Sequence, residues 1–194
     1  MSFRQNRAPR RRIIGANWEA QRPQRGRPPA VKPRKATRLY LTPRQRKHWL
    51  ALVEGLAPLG EPRIEAADLV IRYLDQELDR IASDLTGDDQ VLPVGVVDLR
   101  SLHFLLDLHP PARATSQFNI TMFAETRETM AVITIRLQSA FRATWSQVFG
   151  LAIELLHHQL TDKRGRMTTV EQLDNSDDLR DLLFRPRQLR FEAW

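Results

Sequence analysis

Arginine and lysine crowd the first quarter of this chain, and their density is its first chemical signal. Residues 1–48 hold fifteen Lys and Arg against one acid, Glu19, a net +14 within a chain of total +7, which leaves −7 for the rest. Arg10, Arg11 and Arg12 stand in a row, and Arg34 and Lys35 follow further on. Such a one-sided distribution points to a polyanionic partner, and nucleic acid is the expected one. Neutralised phosphates release counterions, so binding would fall steeply with salt. Directly after this region, Thr37-Arg-Leu-Tyr-Leu-Thr42 alternates without a break. Side chains of an extended chain point alternately to opposite faces, so Thr37, Leu39 and Leu41 share one face. Arg38, Tyr40 and Thr42, all hydrogen-bonding groups, share the other.

Other chemistry is hard to find. There is no cysteine, which excludes disulfides, thiolate zinc sites and thiol catalysis. The eight glycines are scattered and form no phosphate-cradling loop. Neither a G-x-S-x-G elbow nor an H-E-x-x-H pair is present. His157 and His158 are neighbours on an expected helix and point in different directions, and His48, His103 and His109 lack ligand spacing. Ordinary surface or core histidines are the expectation. Asp88-Asp89 reads as a turn, and Asp174, Asp177 and Asp178 as a helix start, where acids complement the dipole. Trp49 and Trp145 read as core anchors. The expectation is a protein with no metal, no cofactor and no enzymatic activity.

These residues need elements to hold them. Residues 1–36 interleave Arg with Pro9, Pro23, Pro28, Pro29 and Pro33 and read as a disordered basic arm. Residues 37–42 are the strand. Thr42 then caps a helix that starts at Pro43 and runs to about Leu56. Ala57-Pro-Leu-Gly60 ends it, and a second helix follows from Arg63 to about Ser83, with Leu69, Val70, Tyr73, Leu74, Leu78 and Ile81 as its apolar stripe. Further on, Val91–Val97 is expected as a short strand and Leu99–Leu108 as a short helix. Phe118–Phe123 and Met130–Leu137 are expected as two strands joined by a turn at 124–129. Ser139 is expected to cap a long helix ending near Leu160. One or two short helices fill 168–184, and the tail Arg185–Trp194 has the aromatic residues to dock. No apolar run approaches the roughly 18 residues of a membrane span, and no apolar leader core is visible. A cytoplasmic, nucleoid-associated protein without membrane contact is expected.

Strand, Thr-Pro helix start, helix of about four turns, Gly-containing turn and longer helix, all within residues 37–82, resemble the ribbon-helix-helix family of Arc- and MetJ-type repressors. The Leu59-Gly60 turn and the Glu65-Ala66-Ala67 run with Tyr73-Leu74 downstream strengthen the resemblance, which covers about a quarter of the chain. It implies a homodimer or higher oligomer, since two copies pair their strands into an antiparallel ribbon that enters the DNA major groove. It further implies that Arg38, Tyr40 and Thr42 read base edges. Arg bonds guanine O6 and N7 bidentately, and Thr bonds a base edge or touches a thymine methyl. The start of the second helix, near Arg63 and Ile64, would grip a phosphate. Arg44, Arg46 and Lys47 would flank the backbone. The chain departs from the family at Glu61-Pro62-Arg63, where Ser or Thr is common and where Glu61 would repel a phosphate.

Residues 133–153 also echo residues 37–57. Ile133, Ile135 and Leu137 alternate as Thr37, Leu39 and Leu41 do, and Thr134, Arg136 and Gln138 would face outward. A true repeat would place two strand-helix halves in one chain and close the ribbon internally. The expected fold is α+β, mainly α-helical, with a basic arm at 1–36, a ribbon-helix-helix-like unit at 37–84 and an α+β oligomerisation or partner-binding region at 85–194. The expected function is sequence-specific binding of double-stranded DNA, as a transcriptional repressor or a plasmid or mobile-element accessory factor. The alternative is a structural or assembly protein that holds RNA or DNA non-specifically through its arm.

Overall fold

Two eight-residue strands set the architecture. In the computed structural model, which describes residues 32–86, 92–93, 95–114, 116–162 and 164–184, β1 (Arg34–Leu41) pairs antiparallel with β2 (Ser116–Phe123). Arg38 faces Asn119, Ala36 faces Thr121 and Tyr40 faces Gln117 across the pair. The edge that was expected to seek a second copy is therefore paired within the chain.

Each strand is followed by two helices. After β1 come α1 (Pro43–Leu56), a 3₁₀ turn (Ala57–Leu59) and α2 (Arg63–Thr86). After β2 come α4 (Ala124–Ala140) and α5 (Trp145–Leu160), while α3 (Leu99–Leu105) lies between the two halves and α6 (Ser176–Phe184) follows them. The halves interlock. Helix α2 packs on α5, on α4 and on β2, and α5 packs on α1 and on β1. Exchanging the halves leaves this pattern nearly unchanged, so the chain is approximately two-fold within itself.

Local signals explain the elements. Thr42 is extended and accepts a hydrogen bond from the Gln45 N–H at 3.0 Å, while the Gln45 side chain accepts from the Thr42 N–H at 3.0 Å. This reciprocal box, with Pro43 next to it, starts α1. Gly60 stops the following turn at φ 86°, a left-handed conformation that costs glycine little. Along α2 every residue of the expected stripe is buried.

The apolar faces meet in one core. Leu39 and Leu41 of β1 and Phe118, Ile120 and Met122 of β2 form its floor, covered by Trp49, Leu52, Leu74, Leu78, Met130, Ile133, Phe149 and Ile153 from the helices. Trp49 meets Phe118 edge-on at 6.2 Å and Phe149 at 5.5 Å. The core continues without a break past residue 85, so residues 37–84 share their packing with the rest of the described chain.

Several expectations fail, each for a definite reason. Residues 124–137 are helix α4, neither turn nor strand. The run Ile133-Thr-Ile-Arg-Leu137 alternates in composition, yet Met130, Ile133 and Leu137 are buried at helical spacing and Ile135 is 67% exposed. Short β-branched runs are ambiguous by pattern alone, and here packing against α2 decides. The expected repeat at 133–138 fails with it. Thr134 is buried and donates to the Met130 carbonyl, Arg136 bonds the Leu78 carbonyl, and Gln138 bonds the Ala143 carbonyl. The counterpart of β1 is instead Ser116–Phe123. Ser139 caps nothing and donates to the Arg136 carbonyl. Thr144 caps α5 through a second Thr-x-x-Gln box with Gln147. Trp145 is only partly buried, under the Arg127 guanidinium at 5.1 Å. No strand forms at the described residues of 91–97, where Gly95 turns at φ 106°. Helix α3 ends at Leu105, short of Leu108. The expected arm also ends earlier than residue 36, because Arg34, Lys35 and Ala36 pair with β2 as the first residues of β1; residues 1–31 and 185–194, and with them the rest of the arm and the aromatic tail, lie outside the described residues.

Two tests follow from this packing. A Cβ on Gly150 would lie 2.5 Å from Gln45 Nε2 and 2.7 Å from Gln45 Cδ, inside the box that starts α1. Gly150→Ala should therefore destabilise the fold by about 1–3 kcal/mol in urea unfolding, and the loss should shrink in a Gln45→Ala background. Because the sheet closes within one chain, the unfolding midpoint should stay fixed over about two decades of protein concentration. A midpoint that climbs with concentration would mean a second copy completes the fold.

Candidate nucleic-acid interface

Among the described residues, helices cover one side of the two-stranded sheet. On the other side the side chains of Ala36, Arg38, Tyr40, Gln117, Asn119 and Thr121 are exposed, with Tyr40 at 49%. The inner residues Leu39, Leu41, Phe118, Ile120 and Met122 alternate with them and anchor the pleat. No Asp or Glu occurs in either strand. Arg38 has no hydrogen-bond or ion-pair partner among the described residues. The surface thus offers one free guanidinium, two carboxamides, a hydroxyl and a phenol on a rigid floor. Guanidinium and carboxamide groups each make paired hydrogen bonds to planar partners that display adjacent acceptors, or an acceptor beside a donor.

The expected site residues separate. Arg38 and Tyr40 lie on the exposed face. Thr42 does not: it is buried, and its hydroxyl is spent on the Gln45 N–H. Arg34 pairs with Phe123 at the far end of the sheet, where Arg34 and Lys32 lie over the Phe123 ring at 6.0 and 5.5 Å. Lys35 is exposed beside them. Arg44, Arg46 and Lys47 are exposed on the first turns of α1, and Arg44 donates to His109 Nδ1 at 3.0 Å. Arg63 begins α2 and lies 5.5 Å over the Phe118 ring. Glu61, expected to repel a phosphate, is buried and paired with Arg180 of α6 at 2.8 Å. Burial pushes its carboxyl up while Arg180 pulls it back. Arg10, Arg11 and Arg12 lie outside the described residues.

Gln117, Asn119 and Thr121 were not anticipated as part of the site. Their signal was present: Gln117-Phe-Asn-Ile-Thr-Met122 alternates polar and apolar as cleanly as residues 37–42. What the pattern lacks is any pointer to its partner strand.

The histidines also converge. His48 of α1 stacks on His157 of α5, ring centres 3.9 Å apart and nearly parallel. A cavity of about 410 Å³ beside them is lined by Arg44, His48, His109, Glu154, His157 and His158. His103 sits behind it, its Nδ1 donating to the His109 carbonyl at 2.7 Å. Glu154 Oε2 is 3.8 Å from that nitrogen, too far for a hydrogen bond. Among the described residues no three side chains are placed to hold a metal ion. Burial, then His157, Arg44, Lys47 and His109, lowers the His48 pKa to about 4. Burial lowers His157 and His103 as well, and raises Glu154. The stack is therefore neutral near pH 7 and joins the cationic helix α1 to the core helix α5.

The sign of the pH effect follows. Unfolded His48 takes a proton as pH falls through about 6.5, whereas the folded side chain waits until about 4. Between these values the unfolded chain binds more protons, so stability should fall with pH. Glu154 contributes the opposite slope. His48→Gln should therefore make the decline of Tm between these pH values shallower than in the wild type, and an unchanged slope would place His48's titration elsewhere. A scan against protein-family models gave no match to this chain, and searches of curated proteins and of solved structures gave no significant similarity.

Proposed function

We propose that this chain binds double-stranded DNA in a sequence-dependent way, as a single-chain ribbon-helix-helix pair. The observation that carries the reading is the exposed face of the β1–β2 ribbon. A two-stranded ribbon fits the major groove of B-DNA, about 12 Å wide. Arg38 would take guanine O6 and N7, and Asn119 and Gln117 would take adenine N6 and N7. Thr121 and Tyr40 would complete the contact. The face carries no acid, and the starts of α1 and α2, the helices that follow β1, carry Arg44, Arg46, Lys47 and Arg63. The +14 of the first 48 residues supplies a sequence-independent term. A site-specific factor such as a repressor or a mobile-element accessory protein fits this chemistry.

The β-α-α order of each half and the interlocked helices support the family reading. Pairing within the chain replaces the two copies implied by residues 37–82 alone. Reading by the ribbon requires no second copy.

Selection from a random duplex library at about 150 mM salt tests the proposal, because non-specific phosphate binding is suppressed there. A short enriched motif is expected. Arg38→Ala and Asn119→Ala should each lose about 1–3 kcal/mol of specific affinity and relax the choice at one base pair. Removing residues 1–31 should weaken every sequence alike and flatten the salt dependence. Tight binding at low salt without any enriched motif would overturn sequence reading and leave a non-specific nucleic-acid binder acting through its basic arm.

A further inference from the structure

One cleft lies beside the ribbon at its Tyr40 end. It measures about 750 Å³ and lies between the start of α3, the loop 111–114, the link from α4 to α5, and Tyr40 at the end of β1. Arg100, Arg113 and Arg142 reach it from three separate segments. All three are exposed, and the charge of Arg100 acts on the neighbouring Asp98 carboxylate. Asp98 is the single carboxylate of the lining, and it already accepts the Ser101 N–H at 2.7 Å as the cap of α3. The lining is therefore net positive by two, with Leu99, Pro111 and Phe141 as apolar wall. Asp98 offsets one of the three guanidinium charges, and an anion entering the cleft would be attracted by the net charge that remains. Tyr40 belongs to both the cleft and the exposed ribbon face, so the two surfaces are continuous.

The exchange-related place in the other half is already filled. There the start of α2 carries Glu61, buried against Arg180, and Arg63 lies on Phe118. The approximate two-fold of the fold is thus broken at one end of the ribbon.

We propose that this cleft holds backbone phosphates of duplex DNA at one flank only, so that the protein sits on its site in a single orientation. The inference rests on the reading of the ribbon as a duplex-DNA surface. An extended polyanion passing Tyr40 meets Arg142, Arg100 and Arg113 beside the groove, with Leu99 and Phe141 against its sugars. The two strands also present different residues, Arg38 and Tyr40 against Gln117, Asn119 and Thr121. The bound site is therefore not a palindrome.

The test uses the full chain on a duplex carrying the motif that the wild type selects, with phosphate-ethylation interference and salt titration as readouts. For the wild type, ethylated phosphates should interfere further out on one side of the motif than on the other. The triple variant Arg100→Ala/Arg113→Ala/Arg142→Ala should keep the motif, lose interference at that flank, and flatten the slope of log K against log salt by roughly 2–3, about 0.9 per phosphate. The corresponding triple Lys variant should restore most of the slope. All three positions are exposed, and an unchanged circular dichroism melt verifies folding. A triple Ala variant with wild-type affinity, slope and interference would overturn the cleft while leaving sequence reading intact. A wild type that selects no duplex motif would overturn both.

Discussion

Everything in this molecule depends on the pairing of β1 with β2. A strand alone has two unpaired edges, and a two-stranded sheet is stable only when one face is covered. Here the helices supply a single covering layer, and among the described residues nothing covers the opposite face. The alternation of both strands then sorts their central residues: Leu39, Leu41, Phe118, Ile120 and Met122 go under the helices, and Arg38, Tyr40, Gln117, Asn119 and Thr121 go out. A slip of one residue in either strand would turn that strand's apolar set to solvent. Register, core and exposed chemistry are therefore one constraint seen from three sides.

Charge is arranged around the same division. Most acids of α2 and its surroundings are engaged within the helical layer. Asp68 binds Arg72 at 2.7 Å and accepts the Thr126 hydroxyl, Glu77 and Asp84 hold Arg80, Asp79 holds Arg136, and Glu61 holds Arg180. The pair exposed on both sides, Arg80 with Asp84, contributes little stability. The larger effect of these pairs is on the field, because they neutralise cations of the helical layer, whereas Arg38, Arg46 and Arg142 form no ion pair among the described residues. The neutral histidine stack works in the same direction, since it lets α1 carry Arg44 and Lys47 without adding a buried charge beneath them.

Much of the first half was legible because its signals are local. The alternation at 37–42, the Thr42-Pro43 start and the Gly60 stop each act within a few residues, and β1, α1 and α2 follow them closely. Thr144-x-x-Gln147 carried the same capping signal as Thr42-x-x-Gln45, yet Ser139 drew the expected boundary five residues early. Helix α4 was misread because β-branched residues at 132–135 favour a strand until α2 is placed beside them. What could not be read was distance. Arg38 and Asn119 lie about 80 residues apart and share no local code, so the expected partner was a second copy. The five histidines and the three cleft arginines meet only after four helices are packed, and spacing along the chain says nothing of it.

The long separation between the two strands has a consequence in time. About 75 residues must be made after β1 before β2 begins, which at about 5–20 residues per second takes about 4–15 s on the ribosome. Through that interval β1 is an alternating, apolar-faced strand with no partner, the kind of segment that pairs with neighbouring chains. Arg34, Lys35 and Arg38 lie in or at its edge, and the cationic residues around it keep identical nascent chains apart by repulsion. The charge proposed to meet a polyanion in the finished protein also guards its unfinished state against itself.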